Sequence, residues 1–134
     1  MSNNRQFIFT NLDIDGSLSY LILSWITGQP IPYKSTSVFN LEKDFSDWYR
    51  TNGEKYERVY VLGVDVSQCA NVLNRDNVVV FAHKLPITEL SNAKVITSKE
   101  DSTSMLLYKS FAKKISFKDR QKLLVLLVND IKKH

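Results

Sequence analysis

The chain alternates short apolar runs with segments in which apolar residues recur every three or four positions, and this pattern predicts strands alternating with helices. Strands are predicted at 6–10, 33–39, 59–66, 78–81 and 94–97. Helices are predicted after the first strand, over 41–49, briefly within 67–73, from about 102 to 113, and from about 116 onward.

Polar residues indicate where two of these helices begin. Ser17 is a candidate N-cap for the first helix, and Ser116 with Asp119 three residues on resembles a capping box for the last one. In that last helix, the spacing predicts a buried stripe formed by Leu123, Leu124, Leu127 and Ile131.

Two of the predicted strands, 59–66 and 78–81, are apolar almost throughout, which is typical of strands covered on both faces of a parallel sheet. Strands that alternate with helices favour right-handed crossover connections. The sequence therefore predicts an α/β fold with a doubly wound, mainly parallel five-stranded sheet, helices on both faces and two C-terminal helices. No linker interrupts the pattern, so residues 1–134 are expected to form a single domain.

Composition and charge narrow the class of protein. The 43% hydrophobic content is ordinary for a globular domain, and no stretch approaches the roughly 20 apolar residues that span a bilayer, so we expect a soluble, cytoplasmic protein without a membrane partner. Residues 109–134 hold 8 of the 18 basic residues and 2 of the 14 acidic ones. This segment would attract a phosphate backbone or an acidic protein, with Lys113, Lys114 and Lys118 as candidate contacts, unless it is simply a solvated helix face.

Acidic residues follow the first and third predicted strands, where open α/β sheets bind ligands. In an extended segment, alternate residues point the same way, so the side chains of Asn11, Asp13 and Asp15 would lie together, with Asp65 facing them. Clustered carboxylates suit Mg²⁺ or Mn²⁺. An Asp that caps the following helix is the alternative interpretation.

Two later strand ends carry further candidates. His83 would complete a mixed oxygen and nitrogen metal site, or would be a hydrogen-bonded structural residue, and Lys84 beside it would contact phosphate. Ser102 and Thr103 precede a predicted helix whose free N–H groups would hold an anion. Helix capping explains those two hydroxyls equally well.

In their order along the chain, these segments resemble the motifs of the DHH phosphoesterase superfamily, which includes RecJ exonucleases, manganese pyrophosphatases and oligoribonucleases. The similar segments are T-N-L-D-I-D-G-S at 10–17, V-D-V-S at 64–67, V-V-V-F-A-H-K at 78–84 and E-D-S-T-S-M-L-L-Y at 100–108. The resemblance implies that Asp65 bridges two Mn²⁺ ions. It assigns Asp13 to the first ion, and Asp15 and His83 to the second.

Several positions depart from the family pattern. Asn11 stands where a His or Asp ligand is usual, Ala82 replaces the Asp of the D-H-H triplet, and Lys84 replaces its last His. The family's last acidic ligand corresponds to Asp130, or to Lys132 in a register two residues later. The resemblance thus implies at most one well-formed Mn²⁺ or Mg²⁺ site, or none, and these 134 residues include no counterpart of the family's substrate-closing domain.

Two classes of function fit the sequence. The departures favour a non-catalytic binding module for a protein or nucleic-acid partner. The alternative is a metal-dependent phosphoesterase or exonuclease that hydrolyses phosphodiester or phosphoanhydride bonds through Asp13, Asp15, Asp65 and His83. The run Asp13-Ile14-Asp15-Gly16 also resembles the nucleophile loop of haloacid dehalogenase-like phosphatases, and a receiver domain with Asp65 as phosphate acceptor is a further option.

Overall fold

A computed structural model describes residues 5–64, 66, 70–82, 90–97, 100–113 and 116–133. The strands are β1 (Gln6–Thr10), β2 (Tyr33–Ser35), β3 (Arg58–Leu62), β4 (Val78–Ala82) and β5 (Lys94–Thr97). The helices are α1 (Ile14–Thr27), α2 (Leu41–Asn52), α3 (Ala70–Leu73), α4 (Thr103–Phe111) and α5 (Asp119–Lys133). The strands form one sheet in the order β2-β1-β3-β4-β5, and every strand pair is parallel. The predicted fold class is confirmed.

The sheet separates two apolar cores, because successive side chains of a strand point to opposite faces. On one face, Ile8 and Phe81 pack with residues of α1, α4 and α5. On the other face, Phe9 and Val61 pack with residues of α2 and α3. Both faces of β3 and β4 are therefore buried, which explains why their sequences are apolar at consecutive positions.

Helix α5 makes its main contacts with α1 and α4. It buries Val125 and Val128, whereas the side chains predicted to form its buried stripe are 43–67% exposed. The predicted stripe is wrong, because α5 turns a different side of its cylinder toward α1 and α4. Among the described residues, no helix is both long and apolar enough to cross a membrane.

The helix starts also differ from the predicted ones. Helix α1 begins at Ile14, a turn before Ser17, because the carboxylate of Asp13 accepts a hydrogen bond from Gly16 N–H at 2.7 Å. Helix α5 begins after Lys118, whose N–H donates to the side-chain oxygen of Gln121 at 2.8 Å. In a capping box, a side chain three positions into the helix accepts the N–H of the capping residue. Gln121 does so here, whereas the sequence predicted Asp119 for this position.

Two strands are shorter than predicted. Strand β2 ends at Ser35, since the carbonyl of Ser37 accepts the N–H groups of Asn40 and Leu41 and turns the chain into α2. Strand β3 ends at Leu62, where Gly63 adopts a φ of 68° that L side chains rarely adopt. Both endings lie at the same edge of the sheet, the edge at which ligands bind in folds of this kind.

Candidate functional site

The strand order places the candidate site between β1 and β3. In doubly wound sheets of the order 2-1-3-4-5, the connections leave β1 and β3 toward opposite faces, and ligands bind in the crevice outside that reversal. Here the crevice is bounded by the turn from β1 into α1 and by Gly63 at the end of β3. The two turns lie close: a Cβ added at Gly63 would sit 3.2 Å from the Cα of Gly16.

Asp13 lies at this edge as the N-cap of α1. One carboxylate oxygen accepts the Gly16 N–H, and the other lies 3.7 Å from the ammonium of Lys132 on α5. Because the helix begins at Ile14, the segment 11–15 is not extended as predicted, and Asp13 and Asp15 do not occupy alternate positions of a strand. The capping interpretation of Asp13 is confirmed.

Asp15 lies in the first turn of α1 with only 1% of its surface exposed. Its two carboxylate oxygens accept the N–H groups of Thr103 and Ser104, each at 2.9 Å. These N–H groups belong to the first turn of α4, where the helix leaves its donors unpaired and carries partial positive charge. Asp15 therefore fills the anion position at the start of α4 with a carboxylate from within the chain.

Ser102 caps α4 and joins it to α5. Its hydroxyl oxygen accepts the Met105 N–H at 3.1 Å, and the hydroxyl donates to the side-chain oxygen of Asn129 at 2.7 Å. Ser102 and Thr103 have no exposed surface. Their assignment to phosphate binding stays a prediction, and the structure gives this helix start two intramolecular acceptor groups, the Asp15 carboxylate and the Ser102 hydroxyl.

Helix α5 directs Lys132, and not Asp130, toward the carboxylate of Asp13. Asn129 faces α4 and Lys132 reaches Asp13, whereas Asp130 is on the exposed side of the helix. The ammonium of Lys132 thus stands beside the carboxylate that the resemblance assigns to the first ion. Asn129 was not among the predicted site residues. The only signal in the sequence that could have suggested Asn129 was its position directly before Asp130.

The two predicted metal ligands at the end of β1, Asp13 and Asp15, are engaged by donors of the chain itself. Both oxygens of Asp15 hold backbone N–H groups, and Asp13 holds an N–H and an ammonium. No group of three or more His, Cys, Asp or Glu side chains suited to a metal occurs within the part of the chain that the structure describes. Asp65, His83 and Lys84 lie outside the described residues, so their predicted roles stay predictions.

The basic residues near the end of α4 and the start of α5 are solvent-facing. Lys113, Lys118 and Arg120 are exposed, while Lys114 lies outside the described residues. Lys109 is paired with Glu100, with 2.9 Å between the ammonium and the carboxylate oxygen. The turn between α4 and α5 therefore presents at least three positive side chains to solvent.

Two tyrosines outside the crevice have raised pKa values. Burial raises the pKa of Tyr60, whose ring lies between β3 and the α1 side of the molecule. Burial also raises the pKa of Tyr49 on α2, against opposing effects of Arg75 and of the hydrogen bond to Asn77. Both phenols are therefore neutral at physiological pH.

No protein-family model matches this chain, and no curated protein matches it. The class that the structure defines is an α/β protein with a doubly wound, all-parallel five-stranded sheet. The DHH resemblance rests on the four sequence motifs, and the function must be argued from the site itself.

Proposed function

We propose that this protein is a non-catalytic binding module with a DHH phosphoesterase-like scaffold, which binds an acidic macromolecule, protein or nucleic acid, through the turn between α4 and α5. The observation that supports it most is the bonding of the two carboxylates nearest the crevice. Asp15 is buried against the start of α4, and Asp13 caps α1 beside Lys132.

Phosphoester hydrolysis by two metal ions needs carboxylates that are free to bind the ions and polarise a phosphate. Both oxygens of Asp15 already accept buried N–H groups and only 1% of the residue is exposed, so a metal ion would have access only to their remaining lone pairs. Lys132 supplies a positive charge next to Asp13 without any ion. These contacts favour a site that is stable in the absence of metal.

The same contacts weigh against the phosphatase alternative. In that alternative Asp13 is the nucleophile, and Asp15, as its acid or base partner, would need to reach the leaving group. Asp15 is 1% exposed and fully engaged by α4. This alternative would also need distal acids, for which Glu100 is a candidate in the sequence, and Glu100 is paired with Lys109.

The binding surface is inferred from charge. Lys113 and Lys118 flank the turn between α4 and α5, and Arg120 follows one residue into α5. Clustered exposed cations attract polyanions and raise their association rate. Residues 109–134 contain eight basic residues and two acidic ones, Asp119 and Asp130, so the electrostatic field around this part of the chain is positive.

Titration calorimetry with Mn²⁺, together with hydrolysis assays on pyrophosphate, a short oligoribonucleotide and a cyclic dinucleotide, tests the absence of catalysis. We expect no Mn²⁺ affinity tighter than about 0.1 mM and no turnover. Tighter binding that disappears in Asp13→Asn or Asp65→Asn, accompanied by turnover, would establish the metal-dependent phosphoesterase instead. A covalent fluoride adduct on Asp13 would establish the dehalogenase-like phosphatase.

Charge reversal tests the binding surface. We expect the double variant Lys113→Glu/Lys118→Glu to lower the affinity for heparin or a single-stranded oligonucleotide and to reduce the slope of log affinity against log salt concentration by about 2. The matched control is Lys34→Glu/Lys94→Glu, which changes the net charge equally at two exposed positions on β2 and β5. An equal loss in both variants would show a net-charge effect and remove the α4–α5 turn as the binding surface.

A further inference from the structure

Helix α5 carries five large apolar side chains that the rest of the described chain leaves uncovered. The exposed fractions are 67% for Leu123, 43% for Leu124, 58% for Leu126, 54% for Leu127 and 48% for Ile131. The inward side of the helix is formed by other residues, chiefly Val125 and Val128. Helix α5 is therefore apolar on two opposite sides, and the described residues cover only one of them.

The exposed apolar residues form one continuous band along the helix. At 100° per residue, Leu123, Leu127 and Ile131 follow one another at intervals of four positions, and Leu124 lies beside them on the flank next to Val128. With roughly half of each of these side chains open, the helix offers on the order of 400 Å² of apolar surface, as large as the largest patch on a typical monomer.

Helix α1 packs beside α5 and also exposes apolar surface. The two helices are antiparallel, because Lys132 near the end of α5 pairs with Asp13 at the start of α1, and Gln121 near the start of α5 lines a cavity with Trp25 near the end of α1. That cavity has a volume of about 520 Å³, and it is lined by further apolar residues such as Tyr20 and Leu21. Leu21 is 43% exposed.

We propose that this face binds a second copy of the chain, with the two α5 helices antiparallel across a two-fold axis near Leu126. Because the two helices run in opposite directions, a residue that lies a given number of positions before Leu126 opposes the residue of the second copy that lies the same number of positions after it. Asp119 then opposes Lys133 of the second copy, and Lys122 opposes Asp130 of the second copy. Both charged pairs occur twice because of the two-fold symmetry, and they lie on one flank of the apolar band. The dipoles of the two antiparallel helices also attract each other.

The size of the face agrees with a dimer of moderate affinity. Two copies of the band bury about 800 Å² of apolar surface, and the α1 residues and charged flanks bring the total toward the roughly 1,200 Å² at which stable interfaces begin. The alternation of acidic and basic residues on the flank distinguishes this surface from a membrane-binding helix, whose polar face is rich in Lys and Arg. The dimer is independent of the acidic partner proposed above, since its face and the α4–α5 turn use different side chains.

Sedimentation equilibrium up to about 1 mM protein tests the proposal. We expect a monomer–dimer equilibrium that Leu123→Asp/Leu127→Asp weakens by at least about tenfold. Because both positions are exposed, the double variant should retain the circular dichroism spectrum of the wild type. The matched control is Phe39→Asp, which changes an apolar residue that is 92% exposed away from α5 and should leave the dimer unchanged.

A charge exchange tests the antiparallel arrangement. Asp119→Lys and Lys133→Asp should each weaken the dimer, and the double variant should restore it to within about threefold of the wild type, because the opposed pair is re-formed with its signs reversed. A wild type that stays monomeric at about 1 mM overturns the proposal, as does a dimer that Leu123→Asp/Leu127→Asp leaves intact. Flotation of a monomeric wild type with anionic phosphatidylserine vesicles would likewise overturn it, in favour of a lipid surface.

Discussion

The carboxylate of Asp15 accepts the N–H of Ser104 at 2.9 Å, which joins the first turn of α1 to the first turn of α4 across 89 positions of sequence. Its second oxygen accepts the neighbouring Thr103 N–H at the same distance. A buried carboxylate that receives two N–H donors at a helix start is stabilised by charge-assisted hydrogen bonds and by the helix dipole. Asp15 therefore holds α1 and α4 together at the edge where open α/β sheets bind ligands.

Replacement of this carboxylate should be costly. In Asp15→Asn, an amide NH₂ would face one of the two N–H donors, so one hydrogen bond would be lost and a buried donor left unsatisfied. We expect the free energy of unfolding in urea to fall by about 2–3 kcal/mol. The matched control is Asp13→Asn, where Asn is an equally good N-cap and the lost contact with Lys132 is partly exposed, so the loss should stay below about 1 kcal/mol. Equal losses in the two variants would contradict the role given to Asp15.

The hydrogen bond between Ser102 and Asn129 provides a second test. Ser102→Ala removes the cap of α4 and leaves the half-buried amide of Asn129 on α5 without its donor, so we expect a loss of about 2 kcal/mol in urea. Asn129→Ala should cost less, because the Ser102 hydroxyl still accepts the Met105 N–H. The double variant should be more stable than the two separate losses imply, by at least about 0.5 kcal/mol, since each single change already breaks the shared bond. Strict additivity would show that the two side chains do not interact.

The central strands β3 and β4 could be predicted from the sequence because they are local apolar runs buried on both faces. Strand β5 lies at 94–97 as predicted, and β4 differs by one residue. The ends of β2 and β3 could not be predicted, because they are set by hydrogen bonds of Ser37 and by the positive φ of Gly63. Apolar residues beyond a strand end, such as Val64, are buried without being part of the sheet.

The orientation of α5 could not be predicted because its sequence is apolar on two sides. The run Leu123-Leu124-Val125-Leu126-Leu127-Val128 satisfies several helical stripes at once. Two polar contacts are made in the observed orientation of α5: the hydrogen bond from Ser102 to Asn129 and the ion pair between Asp13 and Lys132. Their partners are 27 or more positions apart, a separation at which spacing within one helix carries no information.

The same limit applies to the candidate site. Asp13 and Asp15 were correctly located at the end of β1, but their spacing could not distinguish metal ligands from caps. For Asp15, the distinction between these two roles depends on its contact with Thr103 at the start of α4, 88 positions later in the sequence. Asp15 is engaged there by two N–H groups, and no local pattern in the sequence indicates that contact.

Two glycines with positive φ differ in their surroundings, and their substitution by Ala should differ accordingly. Gly28 has a φ of 79°, and nothing lies within 4 Å of the position that a Cβ would occupy, so Gly28→Ala should cost only the left-handed conformation, about 1 kcal/mol. Gly63 has a φ of 68°, and a Cβ there would lie 3.2 Å from the Cα of Gly16. Gly63→Ala should therefore lose about 2–3 kcal/mol in urea unfolding. Equal costs would show that the contact between the β1 and β3 turns can relax freely.

Tyr60 predicts how stability changes in alkaline solution. Burial raises the pKa of its phenol above the unfolded value of about 10, because the phenolate is poorly solvated inside the protein. The stabilisation is fully present below that pH and is lost as the pH rises through the folded-state pKa, since the unfolded chain releases the proton more readily. Urea unfolding at a series of alkaline pH values should thus show a steeper decline for the wild type than for Tyr60→Phe, which cannot ionise. Identical declines would mean that Tyr60 ionises in the folded protein as easily as in the unfolded chain, and that its ring is more accessible to water than its 9% exposure indicates.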